Sequence, residues 1–295
     1  MRLLIALVAG TAVCLPGQAL AWGQEGHSIV AEIAQRRLSP QAEAAVRAVL
    51  GNGSLAAVST WPDDVRASRP TTTKWHFADI PLDKNDYNPE RDCKPDPVKG
   101  DCVVAELERL RTELRRGSRQ QKLEALMFAV HFVGDIHQPL HTIADKGGGN
   151  GIDVTITAAG LTCATGCPPE FKTIKTNFHR AWDSDLIHRT VFSWGTYVDR
   201  IETGWLKTEE ARKIGIDGGK PADWVVETHR SGQTVWHLLG PDDVIDDKYF
   251  DQALPVLDRQ LGVAGLRLAR FLNETFETPS SPAPQQTRRN YKVKR

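Results

Sequence analysis

The 295-residue chain has no excess charge of either sign, no internal repeat, no Gly/Ser-rich linker and no uninterrupted run of roughly 20 apolar residues. Without such a run no segment reads as a membrane-spanning helix, so a soluble mature protein is expected. The 37 basic and 37 acidic residues cancel, so no bulk field draws the chain to nucleic acid or to a membrane. A neutral total still leaves room for a local basic groove. The missing repeat excludes a solenoid or a collagen-like chain, and the missing linker makes one domain the economical architecture. What is present, 40% hydrophobic and 25% charged residues, is enough to bury a core and excludes disorder throughout.

Cysteine is sparse, at five residues, and its meaning depends on the N-terminus. Arg2 precedes the apolar run Leu3 to Ala9, and Ala19-Leu20-Ala21 supplies a small-x-small cleavage site ahead of Trp22. Residues 1–21 therefore read as a secretory signal peptide, which makes the protein secreted or periplasmic. The competing lipidation of Cys14 is poorly matched by Thr11-Ala12-Val13. Cleavage leaves Cys93, Cys102, Cys163 and Cys167, an even set in an oxidising compartment. Three pairings are open, and the short separations favour two local bridges over long crosslinks. A zinc site built from four thiolates is the alternative, disfavoured by the oxidising location and the flanking Pro and Gly.

The mature chain is dominated by helical periodicity. Ile29, Val30, Ile33 and Ala34 recur at helical spacing, and Ser39-Pro40 opens an Ala-rich helix ending near Gly51. Further helices are predicted over Val103–Arg116, 121–137, 176–191, 224–239 and 249–276, the last with a kink at Pro255. The stretch 84–101, rich in Pro, Asp and Asn, reads as an ordered loop. Asp153–Thr157 alternates and is the one good strand. From Pro279 the chain turns to Ser, Pro and Gln and ends in Arg and Lys with no acidic residue, a disordered basic tail over 279–295.

The chemistry concentrates in a few segments. Residues 131–141 pack His131, Asp135, His137 and His141 into the end of an apolar helix. His131 and Asp135 are four apart, so both lie on one face about a turn apart, a spacing at which two side chains can hold one metal ion. Pro139 should break the helix and turn His141 elsewhere. His179 and Asp183 repeat the four-residue spacing. One such pair is commonly a cap or a surface hydrogen bond. Two in a helical exported chain point to metal, and imidazole with carboxylate suits zinc. Asp63 and Arg66 in Trp61-Pro62-Asp63-Asp64-Val65-Arg66, and His76 with Phe77 and Asp79 in Trp75-His76-Phe77-Ala78-Asp79, add candidates. So does the mature terminus, where the Trp22 amine and carbonyl can chelate a metal together with His27. Taken singly, His76 between aromatic residues would more often be a core histidine, and Phe77 a core aromatic.

In order, these segments closely resemble the S1/P1 nuclease family of zinc enzymes, whose fold is that of zinc-dependent bacterial phospholipase C. The resemblance runs from Trp22 to the last helix. The family pattern has an N-terminal Trp with a His five positions on, Trp-Ala-Asp-x-x-Arg, Trp-His-Phe-x-Asp, His-Phe-Val-Gly-Asp-x-His-Gln-Pro-x-His, Gly-Gly-Asn and His-x-x-x-Asp. It implies an all-α fold over residues 22–278 with a short β element, and three zinc ions. Asp63, His76, His131 and Asp135 would hold the first; Trp22, His27 and a shared Asp135 would hold a neighbour; His141, His179 and Asp183 would hold the third. Two zinc ions on one carboxylate, typically ~3.5 to 4 Å apart, can deprotonate a water near neutral pH. Asp63 would orient that water and Arg66 would add positive charge for the transition state. A base would stack on Phe77 with hydrogen bonds from Asp79, and Asn150 would lie near the sugar-phosphate. Stacking is tolerant of sequence and needs an unstacked nucleotide. Stacking thus implies a preference for single strands, and the resemblance implies cleavage of single-stranded RNA and DNA to 5′-mononucleotides, with 3′-nucleotidase action left open.

Two features depart from the pattern. Pro62 replaces the usual Ala, and Lys146-Gly147-Gly148-Gly149 is glycine-rich where some relatives place an apolar residue against the base. The rival assignment, a zinc phospholipase C, would have Glu where Asp183 stands and no use for a Phe77/Asp79 base pocket. A non-catalytic zinc-binding protein would have no need of Arg66. The remaining histidines, His137, His188, His229 and His237, read as structural, with His137 able to orient a ligand from behind.

Overall fold

The computed structural model of the chain describes residues 22–157, 173–191 and 193–277. The predicted signal peptide, the pair Cys163 and Cys167, and the basic tail lie outside the described residues.

Helices dominate, as the periodicity requires. The first, Gln24–Gln35, is buried around most of its circumference and buries every residue from Gly26 to Ala31. Such a helix must be covered on several sides. Its main partner is the last helix, Asp247–Phe276. The two approach so closely that a side chain at Gly265 would collide with Ile33, so glycine is required there. The last helix runs on through Pro255. Arg119–Asp135 begins with a capping box, in which the Ser118 hydroxyl accepts from the Gln121 amide and the Gln121 side chain accepts from the Ser118 amide. Its second half, Phe128 to Asp135, is wholly buried. It ends two residues earlier than the pattern predicted, and Pro139–Thr142 follows as a 3₁₀ turn.

The strand Asp153–Thr157 (β1) has two partners that the pattern did not reveal. Thr173–Asn177 (β2) pairs with it antiparallel, Asp153 opposite Asn177, and Val244–Ile245 (β3) pairs parallel. β2 occupies the first two residues of the helix expected over 176–191. The Asn177 side chain then caps the helical run 178–190 by accepting from the Arg180 amide at 2.8 Å. The middle of that run, Ala181–Asp185, is π-helical, a form found often at functional sites. Trp194–Thr203 and Glu209–Asp217 are helices that the periodicity did not predict. The loop 84–101 holds one short helix, Pro89–Asp92, and a disulfide joins Cys93 to Cys102. The local pairing is thus borne out for that pair, and the four-thiolate zinc site is excluded.

Candidate metal centre and substrate cleft

Six elements bring the candidate ligands to one buried place. Helix Gln24–Gln35 brings His27 in its first turn, and Trp22 ahead of it is fully buried, its indole N–H donating to the Gly134 carbonyl at 2.9 Å. The short helix Trp61–Arg66 brings Asp63, and the 3₁₀ turn Pro70–His76 ends on His76. The end of Arg119–Asp135 supplies His131 and Asp135, and the 3₁₀ turn behind it supplies His141. His179 and Asp183 come from the capped run after β2. The segment after His76 lies alongside the one after His141, through Ala78 N–H to the His141 carbonyl and a parallel bridge between Ile80 and Ile143. That pairing holds Phe77 and Asp79 beside both ligand groups.

Asp135 is central. Its Oδ2 lies 3.0 Å from His76 Nδ1 and 3.1 Å from His131 Nε2, while Oδ1 lies 3.4 Å from His27 Nε2. Asp63 Oδ1 is 3.6 Å from His76 and 3.7 Å from His131. His27 stacks on His131 with ring centroids 3.8 Å apart, and His27, Asp63 and His131 have ligand atoms within mutual reach of one ion. A second group adjoins the first, with Asp183 Oδ2 at 3.7 Å from His179 Nε2, Asp183 Oδ1 at 3.9 Å from His141 Nε2, and His141 Nδ1 at 3.7 Å from Asp135 Oδ1.

Several side-chain atoms here are buried with no hydrogen-bond partner: both ring nitrogens of His27, Nε2 of His76, Oδ1 of Asp63 and Asp135, and Oδ2 of Asp183. Leaving one such group unsatisfied costs about 1–3 kcal/mol, so a concentration of them in one pocket calls for a ligand. Three imidazoles are already turned for the purpose. His131 Nδ1–H donates to the Ser59 carbonyl at 2.7 Å, His141 Nδ1–H to the His76 carbonyl at 2.9 Å, and His179 Nδ1–H to the Gly148 carbonyl at 2.7 Å. Each bond fixes the tautomer and leaves Nε2 as a lone-pair donor facing inward. Donor type, orientation and orphaned atoms all fit divalent metal.

The electrostatics agree. Burial lowers the pKa of His27, His76 and His141 and brings His179 down to about 4, so these rings are neutral, the form that ligates. Burial likewise raises Asp63 and Asp183. His131 is the exception, because Asp135 and Asp63 outweigh its burial and draw it upward. A cluster of carboxylates whose burial opposes ionisation is one that a cation would stabilise.

A cleft of about 210 Å³ opens from this pocket, lined among others by Arg66, Phe77, Asp79, His141, Asn150 and His179. Phe77 and Asp79 are half-buried and Asn150 is exposed at the rim. The floor needs glycine. Gly148 has φ +63°, and a side chain there would meet the Leu140 carbonyl at 2.6 Å and His179 Nδ1 at 3.1 Å. The disulfide loop braces the opposite wall: Asp79 N–H donates to the Asp92 carbonyl, Val103 N–H to the Phe77 carbonyl, and Lys74 N–H to the Lys99 carbonyl.

Every site residue predicted from the sequence is thus in or beside one pocket. Sequence reasoning missed the Ser59 and Gly148 carbonyls that orient His131 and His179, because backbone carbonyls carry no residue-type signal. The fully buried His137 is structural as expected, with Nδ1–H donating to the Val133 carbonyl at 2.7 Å and Arg267 donating to Nε2 at 3.0 Å. His229 bridges the Thr142 and Lys84 carbonyls.

Fold and pocket together define a class: a mostly helical protein whose His and Asp side chains, drawn from distant segments, converge in buried groups able to hold metal beside an open cleft. The model of the S1/P1 nuclease family matches residues 22–277, and the chain belongs to that family. It is 31% identical to Endonuclease 2 of Arabidopsis thaliana over 288 residues, covering 86% of this chain and 90% of that protein. It is 29% identical to Nuclease S1 of Aspergillus oryzae, covering 88% and 93% of the two chains, and 29% identical to Nuclease P1 of Penicillium citrinum, covering 86% and 97%. Membership makes the protein a nuclease, a hydrolase acting on nucleic acid. Among the described residues no helix is long and apolar enough to cross a membrane.

Proposed function

We propose that the protein is an exported, zinc-dependent nuclease, secreted or periplasmic, that hydrolyses single-stranded RNA and DNA to 5′-mononucleotides and also removes 3′-phosphates from nucleotides. Its catalytic domain is residues 22–278, released by cleavage after Ala21. The observation that carries the reading is the buried cluster of orphaned His and Asp atoms opening onto a cleft lined by Phe77, Asp79 and Arg66.

Three zinc ions are assigned: one to Asp63, His76, His131 and Asp135, one to Trp22, His27 and the shared Asp135, and one to His141, His179 and Asp183. Bound there, zinc supplies Lewis acidity and lowers the pKa of water toward neutrality. The protein's own groups do the rest. Asp63, beside His76 and His131, orients the attacking water. Arg66 borders the cleft and supplies a fixed positive charge against the charge that builds on the phosphate. Phe77 offers its face to an unstacked base, a contact worth about 1–3 kcal/mol that does not depend on sequence. The Asp79 carboxylate accepts from base N–H groups, and Asn150 donates near the sugar-phosphate. A duplex keeps its bases stacked, and this arrangement therefore selects single strands. It also accounts for nucleic-acid binding by a chain of zero formal charge.

The test is hydrolysis of single-stranded RNA and DNA by the mature protein, beside a phosphatidylcholine control, before and after chelation and zinc restoration. Zinc-restored release of 5′-mononucleotides is the expected result. Cleavage of lipid alone would move the assignment to phospholipase C, and zinc binding without hydrolysis of either would make this a metal-binding relative.

A further inference from the structure

Gln138 lies between the two ligand groups, is completely buried, and has no place in the ligand sets. Its carboxamide orientation is fixed by chemistry. The Leu140 N–H can only donate and the Asp183 carboxylate can only accept. The amide oxygen therefore faces Leu140, from which it accepts, and the amide nitrogen faces Asp183, donating to Oδ1 at 2.6 Å. That bond occupies one carboxylate oxygen and leaves the other, Oδ2, buried and unpartnered at 3.7 Å from His179 Nε2. Oδ1 lies 3.9 Å from His141 Nε2 but is engaged by that bond, and the carboxylate cannot rotate without breaking it. Gln138 is itself held by the neighbouring ligand group, through its own N–H to the Asp135 carbonyl at 2.9 Å. One residue thus ties the turn that carries Asp135 to the carboxylate of Asp183.

We infer that Gln138 is a positioning residue for the metal site formed by His141, His179 and Asp183: it fixes which oxygen of Asp183 faces the ion and holds that site in register with Asp135. The inference rests on the zinc assignment made above for that group. Asp183 sits in a π-helical turn, and the Gln138 amide is the side-chain group that donates to its Oδ1. Ligands held by such indirect partners typically lose about 10- to 100-fold in metal affinity when the partner is removed.

The experiment compares Gln138→Met, Asp183→Ala and the double variant in the mature zinc-loaded protein. Zinc retained after equilibration with graded chelator is measured by elemental analysis, and thermal unfolding is measured on the fully chelated protein. Methionine keeps the length and volume of glutamine but removes the donor. The expected result is that Gln138→Met weakens one zinc ion by about 10- to 100-fold and leaves the others in place. In the Asp183→Ala background, where that ion is already lost, it should add nothing. Equal losses of affinity in both backgrounds, or wild-type zinc affinity in Gln138→Met, would overturn the positioning role. If Asp183→Ala keeps full zinc, the zinc assignment fails, and the positioning role falls with it for a reason the double variant shows separately. Gln138→Leu provides a second route should the methionine variant fold poorly, because it likewise has no group that can donate to Asp183. It too should lose the ion, and unchanged affinity there would count against the inference.

Discussion

Gly134→Ala should separate metal binding from stability, because at this position the two respond to different neighbours. Gly134 precedes Asp135 on the buried helix, and a methyl group on it would lie 2.8 Å from His27 Nδ1 and 3.1 Å from His27 Cε1. Ordinary contact is about 3.5 Å, so the ring must retreat by about 0.7 Å. His131 is stacked on the same ring at 3.8 Å, which obstructs a clean retreat. Sites of this kind tolerate about 0.5 Å of displacement, and misplacement by about 1 Å costs roughly 100-fold in rate. The expected loss in kcat/KM is therefore about 10- to 100-fold, or about 1.4–2.7 kcal/mol, together with loss of one zinc ion. Stability should change little. Alanine gains about 1 kcal/mol in helix propensity, which offsets much of an overpacking cost of about 1–3 kcal/mol. The melting temperature of the chelated protein should move by no more than about 5 °C. Zinc content by elemental analysis, steady-state kinetics on a single-stranded oligonucleotide and thermal unfolding decide the matter. Wild-type zinc content and kinetics in a variant with the wild-type melting temperature would show that His27 is not held where Gly134 meets it, and would refute the reasoning.

Three further predictions concern other parts of the molecule. A residue added before Trp22 should abolish binding of the ion assigned to the Trp22 amine while leaving the chelated protein's melting temperature unchanged; an active three-zinc protein carrying the extension would remove Trp22 from the ligand set. Phe77→Ala should raise KM for single-stranded substrate by about 5- to 150-fold, equivalent to about 1–3 kcal/mol of stacking, with zinc content intact; unchanged KM would exclude stacking on this ring. Glu227 titrates at about 2, its burial outweighed by Arg267 and Arg259. A depressed carboxyl contributes stability that is complete above its unfolded value of about 4.3 and is lost as pH falls toward 2. Allowing for its partial exposure, that contribution is about 1–2 kcal/mol. In chelated protein, Glu227→Gln should therefore be less stable than wild type at pH 7 and approach it near pH 2.5; an equal gap at both would contradict the assignment.

The candidate ligands were legible because their chemistry is scarce and their spacing is helical. His131 with Asp135, and His179 with Asp183, each mark a shared helical face by spacing alone. The first and last helices were legible for a related reason, since an amphipathic stripe repeats over many residues. β2 and β3 were not, because Thr173–Asn177 is half-exposed and β3 has two residues, too few to show a period. Their existence follows from pairing with β1, a relation between distant segments. Trp194–Thr203 escaped for a different reason: its three buried residues, Tyr197, Val198 and Ile201, form only one stripe of a short helix. Gln138 was visible as a letter, yet its role depends on where Asp183 arrives, 45 residues later.

The close packing of the first helix on the last also bears on the order in which the molecule is completed. Synthesis is vectorial, so His27 emerges from the ribosome early, on a helix whose main cover, Asp247–Phe276, comes last. Contacts across almost the full chain length form late and slowly. A partly made chain can therefore display isolated His/Asp pairs but cannot close the pocket around Asp135. Competence for metal is in this sense a check that the C-terminal helix has arrived, and a truncation near Gly265, remote in sequence from every ligand, should leave the centre open at its first histidine.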